Sequence, residues 1–208
     1  MKGWVGGAVV LMALAATVSV TPAAAPQGGG GALTVPLRLS AFAINMSTAP
    51  SPRKTEVMDI RVTRWSTAAE RENLLNVAVE QGPDALLRAL QKMPSHGRMR
   101  IPGWVGPDPH NARLGWDLRY AWNTRTDEGE ERLVIMTDRY IGAWEARNQP
   151  RTIDYPFTLI EIRLDKEGKG VGKMSVATKI EFDKKKQQMV LENYSSEPVR
   201  LNEVKIEK

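Results

Sequence analysis

Residues Phe157 to Phe182 read FTLIEIRLDKEGKGVGKMSVATKIEF. The run Phe157–Leu164 reads as a strand. It passes through Asp165–Gly170 (DKEGKG), a charged segment containing glycine, into a second strand-like run, Val171–Phe182. Two such runs joined by a short Gly-containing turn are the pattern of a β-hairpin, and short connections of this kind pair strands antiparallel.

Outward from this hairpin the pattern persists. Asp183–Lys186 (DKKK) turns the chain into Met189–Asn193, Glu197-Pro198 breaks that strand, and Val199–Ile206 follows. Toward the N-terminus, Leu133–Thr137 (LVIMT) is a compact apolar run. Trp116, Leu118, Tyr120 and Trp122 alternate with Asp117, Arg119, Ala121 and Asn123, which predicts one face formed by the four large residues. Met99 and Ile101 mark a short strand. Met58, Ile60 and Val62 alternate with Asp59, Arg61 and Thr63, and Leu37, Leu39, Ala41 and Ala43 alternate with Arg38, Ser40, Phe42 and Ile44. Both are half-buried strands.

The period changes only once. Ser66 or Thr67 can cap a helix, Thr67 with Glu70 fits a capping box, and Leu74, Leu75, Ala78 and Val79 follow at helical spacing until Gly82. Pro83 suits the first position of a second helix carrying Leu86, Leu87 and Leu90, which Pro94 ends. The expected fold is α+β: a mostly antiparallel β sandwich or barrel of about nine strands, with one two-helix insertion at 66–93.

The rest of the chain sets its organisation. Residues 1–25 read as a signal peptide: Lys2, the uncharged apolar stretch Trp4–Val20, and the small-residue ending TPAAA. Pro26–Ala32 (PQGGGGA) reads as a flexible linker, so that a single β-rich domain spans 33–208. The expected location is therefore outside the cytoplasm, in the periplasm or the medium, with no membrane span in the mature chain and no nucleic-acid partner. With 42% hydrophobic and 25% charged residues, the composition is that of a globular domain. No cysteine is present, which excludes disulfide staples, thiol catalysis, cysteine-based zinc sites and acylation of a cysteine. With only two histidines, His96 and His110, no three-histidine metal site can form, and no metal or other cofactor is expected.

No GxSxG elbow, HExxH pair, P-loop or GxGxxG turn occurs. Two segments draw attention instead. Ala85–Arg125 holds seven basic residues against two acidic ones, together with both histidines and Trp104, Trp116 and Trp122. Within it, Arg98, Arg100, Trp104 and His110 are candidates for an anionic or glycan ligand, because guanidinium forks suit carboxylates and phosphates and indole faces suit sugars or cations. Alternation alone also places Arg98, Arg100 and Arg119 on the wet face of a one-sided sheet. The second segment, Thr137–Pro156, concentrates Asp138, Arg139, Trp144, Glu145 and Arg151, the variety of polar side chains found in binding loops.

The segments Trp65–Leu90, Asn148–Leu164 and Lys173–Leu201 together resemble an uncharacterised family of secreted bacterial proteins. The resemblance implies a single secreted domain and carries no activity. The function expected is that of an exported, non-enzymatic binding or structural domain of the cell envelope, its partner an envelope component, a small anionic ligand or a protein. The alternative is a hydrolase acting on an envelope glycan through carboxylates within 137–156, such as Asp138, Glu145 and Asp154.

Overall fold

The computed structural model describes residues 29–46, 55–102, 115–139, 157–176, 180–183, 188–191 and 199–207. Among them are ten strands and two helices. In chain order these are β1 (Leu37–Asn45), β2 (Thr55–Val62), α1 (Ala68–Gln81), α2 (Pro83–Lys92), β3 (Gly97–Arg100) and β4 (Trp116–Arg125). Then come β5 (Glu131–Thr137), β6 (Thr158–Leu164), β7 (Lys169–Val176), β8 (Ile180–Asp183), β9 (Gln188–Leu191) and β10 (Val199–Ile206). The signal segment, 1–25, and the Lys184–Lys186 turn lie outside the described residues.

Eight strands close into a barrel in which each of β1 to β7 pairs with its sequence neighbour, β7 pairs with β10, and β10 pairs with β1. Every pairing is antiparallel. The run expected as one strand, Val171–Phe182, falls into two: β7 belongs to the barrel wall, while β8 pairs with β9 in a separate two-stranded sheet. This division accounts for the tenth strand where about nine were expected.

Period-two burial builds the interior. Leu37, Leu39, Ala41 and Ala43 of β1, Met58, Ile60 and Val62 of β2, and Ile160, Ile162 and Leu164 of β6 form one apolar cluster with Met99, Leu118, Leu133, Ile135, Met174 and Leu201. Each large side chain of this cluster removed from water stabilises the fold by about 1.5–3 kcal/mol. The β6–β7 turn works as its sequence suggests: the Asp165 carboxylate accepts from the backbone N–H groups of Glu167 and Lys169, and Gly168 takes φ 75°.

A second cluster lies outside the barrel. Leu74 and Leu75 of α1 and Leu86 and Leu90 of α2 cover Tyr120, Val134, Met136 and Leu159 on the outer face of β4, β5 and β6. Thr67 caps α1 through a full capping box with Glu70, and Pro83 opens α2. The helix pair thus shields one sector of the wall, and the opposite sector stays in solvent.

Strand β4 departs from simple alternation. Its register against β5 shifts between Leu118 and Tyr120, so β4 carries one extra residue, Arg119. Such a bulge exchanges the faces of everything beyond it. Trp116 and Leu118 point into the barrel, as do Ala121 and Asn123 beyond the bulge, whereas Tyr120 and Trp122 turn outward beneath the helices. The four large residues therefore do not form one face.

The segment expected as a free linker is also engaged at its end. The backbone N–H groups of Gly29 and Gly31 donate to the Asn123 carbonyl at 2.7 and 3.3 Å, and the Ala32 N–H donates to the Glu131 carboxylate at 2.9 Å. Leu33 and Val35 pack on the barrel core, and the Trp65 indole N–H donates to the Leu33 carbonyl. These glycines have a packing role: a Cβ on Gly31 would come within 2.1 Å of Asn123 Nδ2.

Candidate anion-binding wall

Four of the six described basic residues of Ala85–Arg125 meet carboxylates within the fold. Arg98 meets Asp117 at 3.1 Å, Asp117 meets Arg119 at 3.6 Å, and Arg119 Nε meets Asp138 at 2.8 Å. Arg139 approaches the other oxygen of Asp138 at 3.8 Å. Arg119 also donates to the Met93 carbonyl just beyond α2. The bulge places Arg119 where it can reach all three partners. Farther along, Arg125 forks onto Glu131 through Nε and Nη2 at 2.9 and 2.8 Å. Acids on neighbouring strands thus answer bases that look unopposed when the segment is read alone.

Of the residues singled out from the sequence, the fold brings Arg98, Asp138 and Arg139 into this alternating ladder and puts Arg100 beside Asp59 at 3.8 Å. Trp104, His110, Trp144, Glu145 and Arg151 lie outside the described residues, as does Asp154. Asp138 serves as the counter-ion of two arginines. Its side chain is 11% exposed, and it shares the Arg119 guanidinium with Asp117.

His96 is fully buried, held by residues that the sequence reading did not connect to it. Its Nδ1 lies 2.9 Å from the Pro94 carbonyl and its Nε2 lies 3.0 Å from Arg64 Nη2. The carbonyl accepts only, so Nδ1 carries the proton; the guanidinium donates only, so Nε2 is bare. Burial and the Arg64 charge hold this imidazole below its ordinary pKa, and a neutral ring fits both contacts. Burial pushes Glu70 upward, but the Thr67 N–H and the Arg64 guanidinium together outweigh it and hold the carboxyl below its usual range. Among the described residues no group of three His, Cys, Asp or Glu side chains is placed to hold a metal ion.

Beneath the helices, Arg71 lies over the Trp122 ring at 5.3 Å, and Trp122 stacks on Tyr120 with ring centroids 6.4 Å apart. The cleft they line with Leu75, Arg132 and Val134 has a volume of about 40 Å³. Small-molecule sites usually run to about 300–1,000 Å³, so this space suits a few waters rather than a ligand.

The solvent-facing sector, running β7, β10, β1, β2, β3 around the barrel, is different in kind. Arg38 on β1 stands opposite Arg61 on β2; Arg61 stands opposite Arg98 on β3; Arg98 stands opposite Asp117. Directly opposed residues have Cβ atoms about 4.5–5.5 Å apart, and like charges so placed repel. Only Arg98, at the edge of the row, reaches a carboxylate. Arg38 and Arg61 are exposed and form no ion pair among the described residues. On the other side of β1, Lys169 and Lys173 of β7 and Arg200 of β10 are exposed, each with no ion pair among the described residues. Lys205 is spanned by Glu207 at 3.3 Å. The solvent-facing acids of this sector are Asp59, Glu203 and, just past β10, Glu207, which accepts from the Ser40 hydroxyl; Glu56 of β2 is buried.

The sequence reading missed Arg38 and Arg61, although alternation put both on outer faces. Only the register of β1 on β2 and of β2 on β3 reveals them as one row. Chemically, adjacent guanidinium forks offer paired N–H donors at the spacing of neighbouring strands, suited to phosphate or carboxylate oxygens that bridge them.

Comparison with family models, with curated proteins and with solved structures finds no match for the chain. Among the described residues no helix is long and apolar enough to cross a membrane.

Proposed function

We propose that this protein is an exported, non-enzymatic binding domain of the cell envelope that takes an anionic ligand on its exposed basic wall. The observation that carries the reading is the Arg38–Arg61–Arg98 row, in which two of the three guanidinium groups have no carboxylate among the described residues. Aligning like charges destabilises a sheet, and sites that break a local rule in this way are commonly functional. The export expected from residues 1–25 supplies the envelope setting.

The wall is also inverted relative to a membrane-spanning barrel. Those barrels are apolar outside and polar within, whereas here leucine, isoleucine and methionine fill the interior and charges line the outside. The barrel is therefore read as a water-exposed scaffold that presents its charges.

The test is retention on immobilised polyphosphate at low ionic strength. Wild-type protein is expected to bind and to elute with salt, because the contact is exposed and screened. The double variant Arg38→Gln/Arg61→Gln is expected to elute at clearly lower salt with an unchanged circular dichroism spectrum. Absence of retention, or equal retention of the double variant, overturns the reading.

A further inference from the structure

The same wall carries exposed apolar side chains that anion binding alone does not explain. Phe42 on β1 stands directly opposite Val57 on β2, and they are 41% and 43% exposed. Val171 on β7 is 57% exposed. Neighbouring strands and the helices bury most large apolar residues of the fold, yet these three project from the sector that also holds the unpaired bases.

Their placement within the wall is specific. β1 is the middle strand of the five, with β10 and β7 on one side and β2 and β3 on the other. A barrel wall is convex, so a flat surface laid against this sector touches β1 and its neighbours first. Phe42 sits at that point of contact. Arg38 and Arg61 lie four residues along the same strands from Phe42 and Val57, about 13 Å away at the rise of a strand. In the opposite direction Arg200 pairs with Ile44 on one side and with Lys173 on the other. On the Arg38–Arg61 side the Ser40–Asp59 pair intervenes, with the Glu207 carboxylate on the Ser40 hydroxyl; the apolar pair is bounded by cations beyond that row and, in the other direction, at Arg200, with lysines at one edge.

We infer that the wall docks on an anionic phospholipid surface, with Phe42 and Val57 entering the headgroup layer while Arg38, Arg61, Arg200 and Lys173 engage lipid phosphates. The inference rests on the anion-binding reading and names its partner. Charge complementarity selects an anion, and the apolar centre selects a bilayer: a soluble polyanion gains nothing from Phe42, whereas the interface accepts an apolar side chain and rewards each nearby Lys or Arg. Arginine and lysine also suit this setting because their methylene stems lie along apolar surface while the charge stays wet. The contact is peripheral and reversible, set by a few side chains and not by an inserted segment.

The experiment is co-sedimentation of the full chain with vesicles of phosphatidylglycerol and phosphatidylcholine in equal parts, beside vesicles of phosphatidylcholine alone and beside soluble polyphosphate. Wild type is expected to partition onto the anionic vesicles and not onto the neutral ones. Phe42→Ser is expected to weaken vesicle partitioning by about tenfold, the scale for withdrawing much of an aromatic side chain from an apolar phase, and to leave polyphosphate binding unchanged. Arg38→Gln/Arg61→Gln is expected to weaken both, by about thirtyfold on vesicles at the usual gain for two surface cations. Circular dichroism confirms that each exposed-site variant is folded. If polyphosphate binds but vesicles do not, or if Phe42→Ser partitions like wild type, the lipid inference is overturned and a soluble anionic partner takes its place. If neither probe binds, the anion-binding reading falls with it.

Discussion

Arg38 of β1 and Arg61 of β2 face each other directly across a strand pair, both exposed and neither neutralised by a carboxylate among the described residues. Such a pair works against the fold, so its removal has a sign that an ordinary surface mutation lacks. Arg61→Gln is expected to raise stability by about 0.2–1 kcal/mol at low ionic strength, by relieving repulsion from Arg38 on one side and Arg98 on the other. The gain should vanish in molar salt, where the screening length shrinks to about 3 Å. Urea unfolding of wild type and variant at both ionic strengths checks this. A variant that is less stable at low salt would show that the row is not held against its own repulsion.

Gly31 and Asn123 couple the segment before β1 to the barrel. The Asn123 side chain is buried, and neither its Oδ1 nor its Nδ2 finds a hydrogen-bond partner among the described residues, with the Gly31 backbone closing over it. A methyl group at position 31 would collide with the amide, so Gly31→Ala is expected to cost about 1–3 kcal/mol through overpacking. Asn123→Ala removes the obstacle together with two unsatisfied polar atoms. In the double variant the Gly31→Ala penalty should shrink by at least half, a non-additivity that a thermal-denaturation cycle reads directly. Additive effects would mean that this contact does not hold the segment in place.

Much of this architecture was legible in the chain. The alternation of Leu37–Asn45 and Thr55–Val62, the capping box of Thr67 and Glu70, and the Asp165–Gly170 turn are local signals, each decided within a few residues. What escaped is what depends on register. The bulge at Arg119 leaves no mark in composition, yet it sends Tyr120 and Trp122 outward and Ala121 and Asn123 inward. The pairing of β1 with β10 joins Leu39 to Ile206 and closes the barrel over a separation that no local pattern spans. The candidate site failed to appear for the same reason. The charge excess of Ala85–Arg125 pointed to Arg98 and Arg119, whose acids sit across strands, while Arg38 and Arg61 lay unremarked in two well-read strands until they were aligned.

Glu203 carries the bulge of β10. Register shifts on both sides of this strand, against β1 and against β7, bracket it, and its backbone takes φ 49°. Holding a side chain in the left-handed region is unfavourable, because Cβ crowds the following carbonyl oxygen, and glycine escapes this. Glu203→Gly is expected to stabilise the protein by up to about 1 kcal/mol. It also removes one acid from the basic wall, so polyphosphate retention should hold or increase. A lower melting temperature would indicate that the Glu203 side chain contributes more than its backbone conformation takes away.

His96 gives the fold a predictable response to acid. Its imidazole is held below the ordinary value of 6.5 by burial first and by the Arg64 charge second. Below pH 6.5 the unfolded chain therefore takes up a proton at this position before the folded chain does. Stability contributed by the neutral ring is complete above pH 6.5 and is lost as the pH falls from there toward the folded-state pKa. For one proton the slope reaches at most about 1.4 kcal/mol per pH unit. Glu70 and Glu161 act lower. Burial raises each, but the Thr67 N–H and Arg64 outweigh it at Glu70, and Arg132 with Arg163 outweigh it at Glu161, so both sit below 4.5 and their contributions are lost only as the pH drops beneath that value. His96→Asn keeps a donor for the Pro94 carbonyl but cannot charge. It should be less stable than wild type at pH 7, by about 1–3 kcal/mol for the lost Arg64 contact and the vacated volume. Between pH 6.5 and 5 its melting temperature should fall less steeply than that of wild type. Melting curves taken across that window decide the matter: parallel slopes would mean that the ring is protonated in the folded state and pairs with Glu70, 3.6 Å from Nε2.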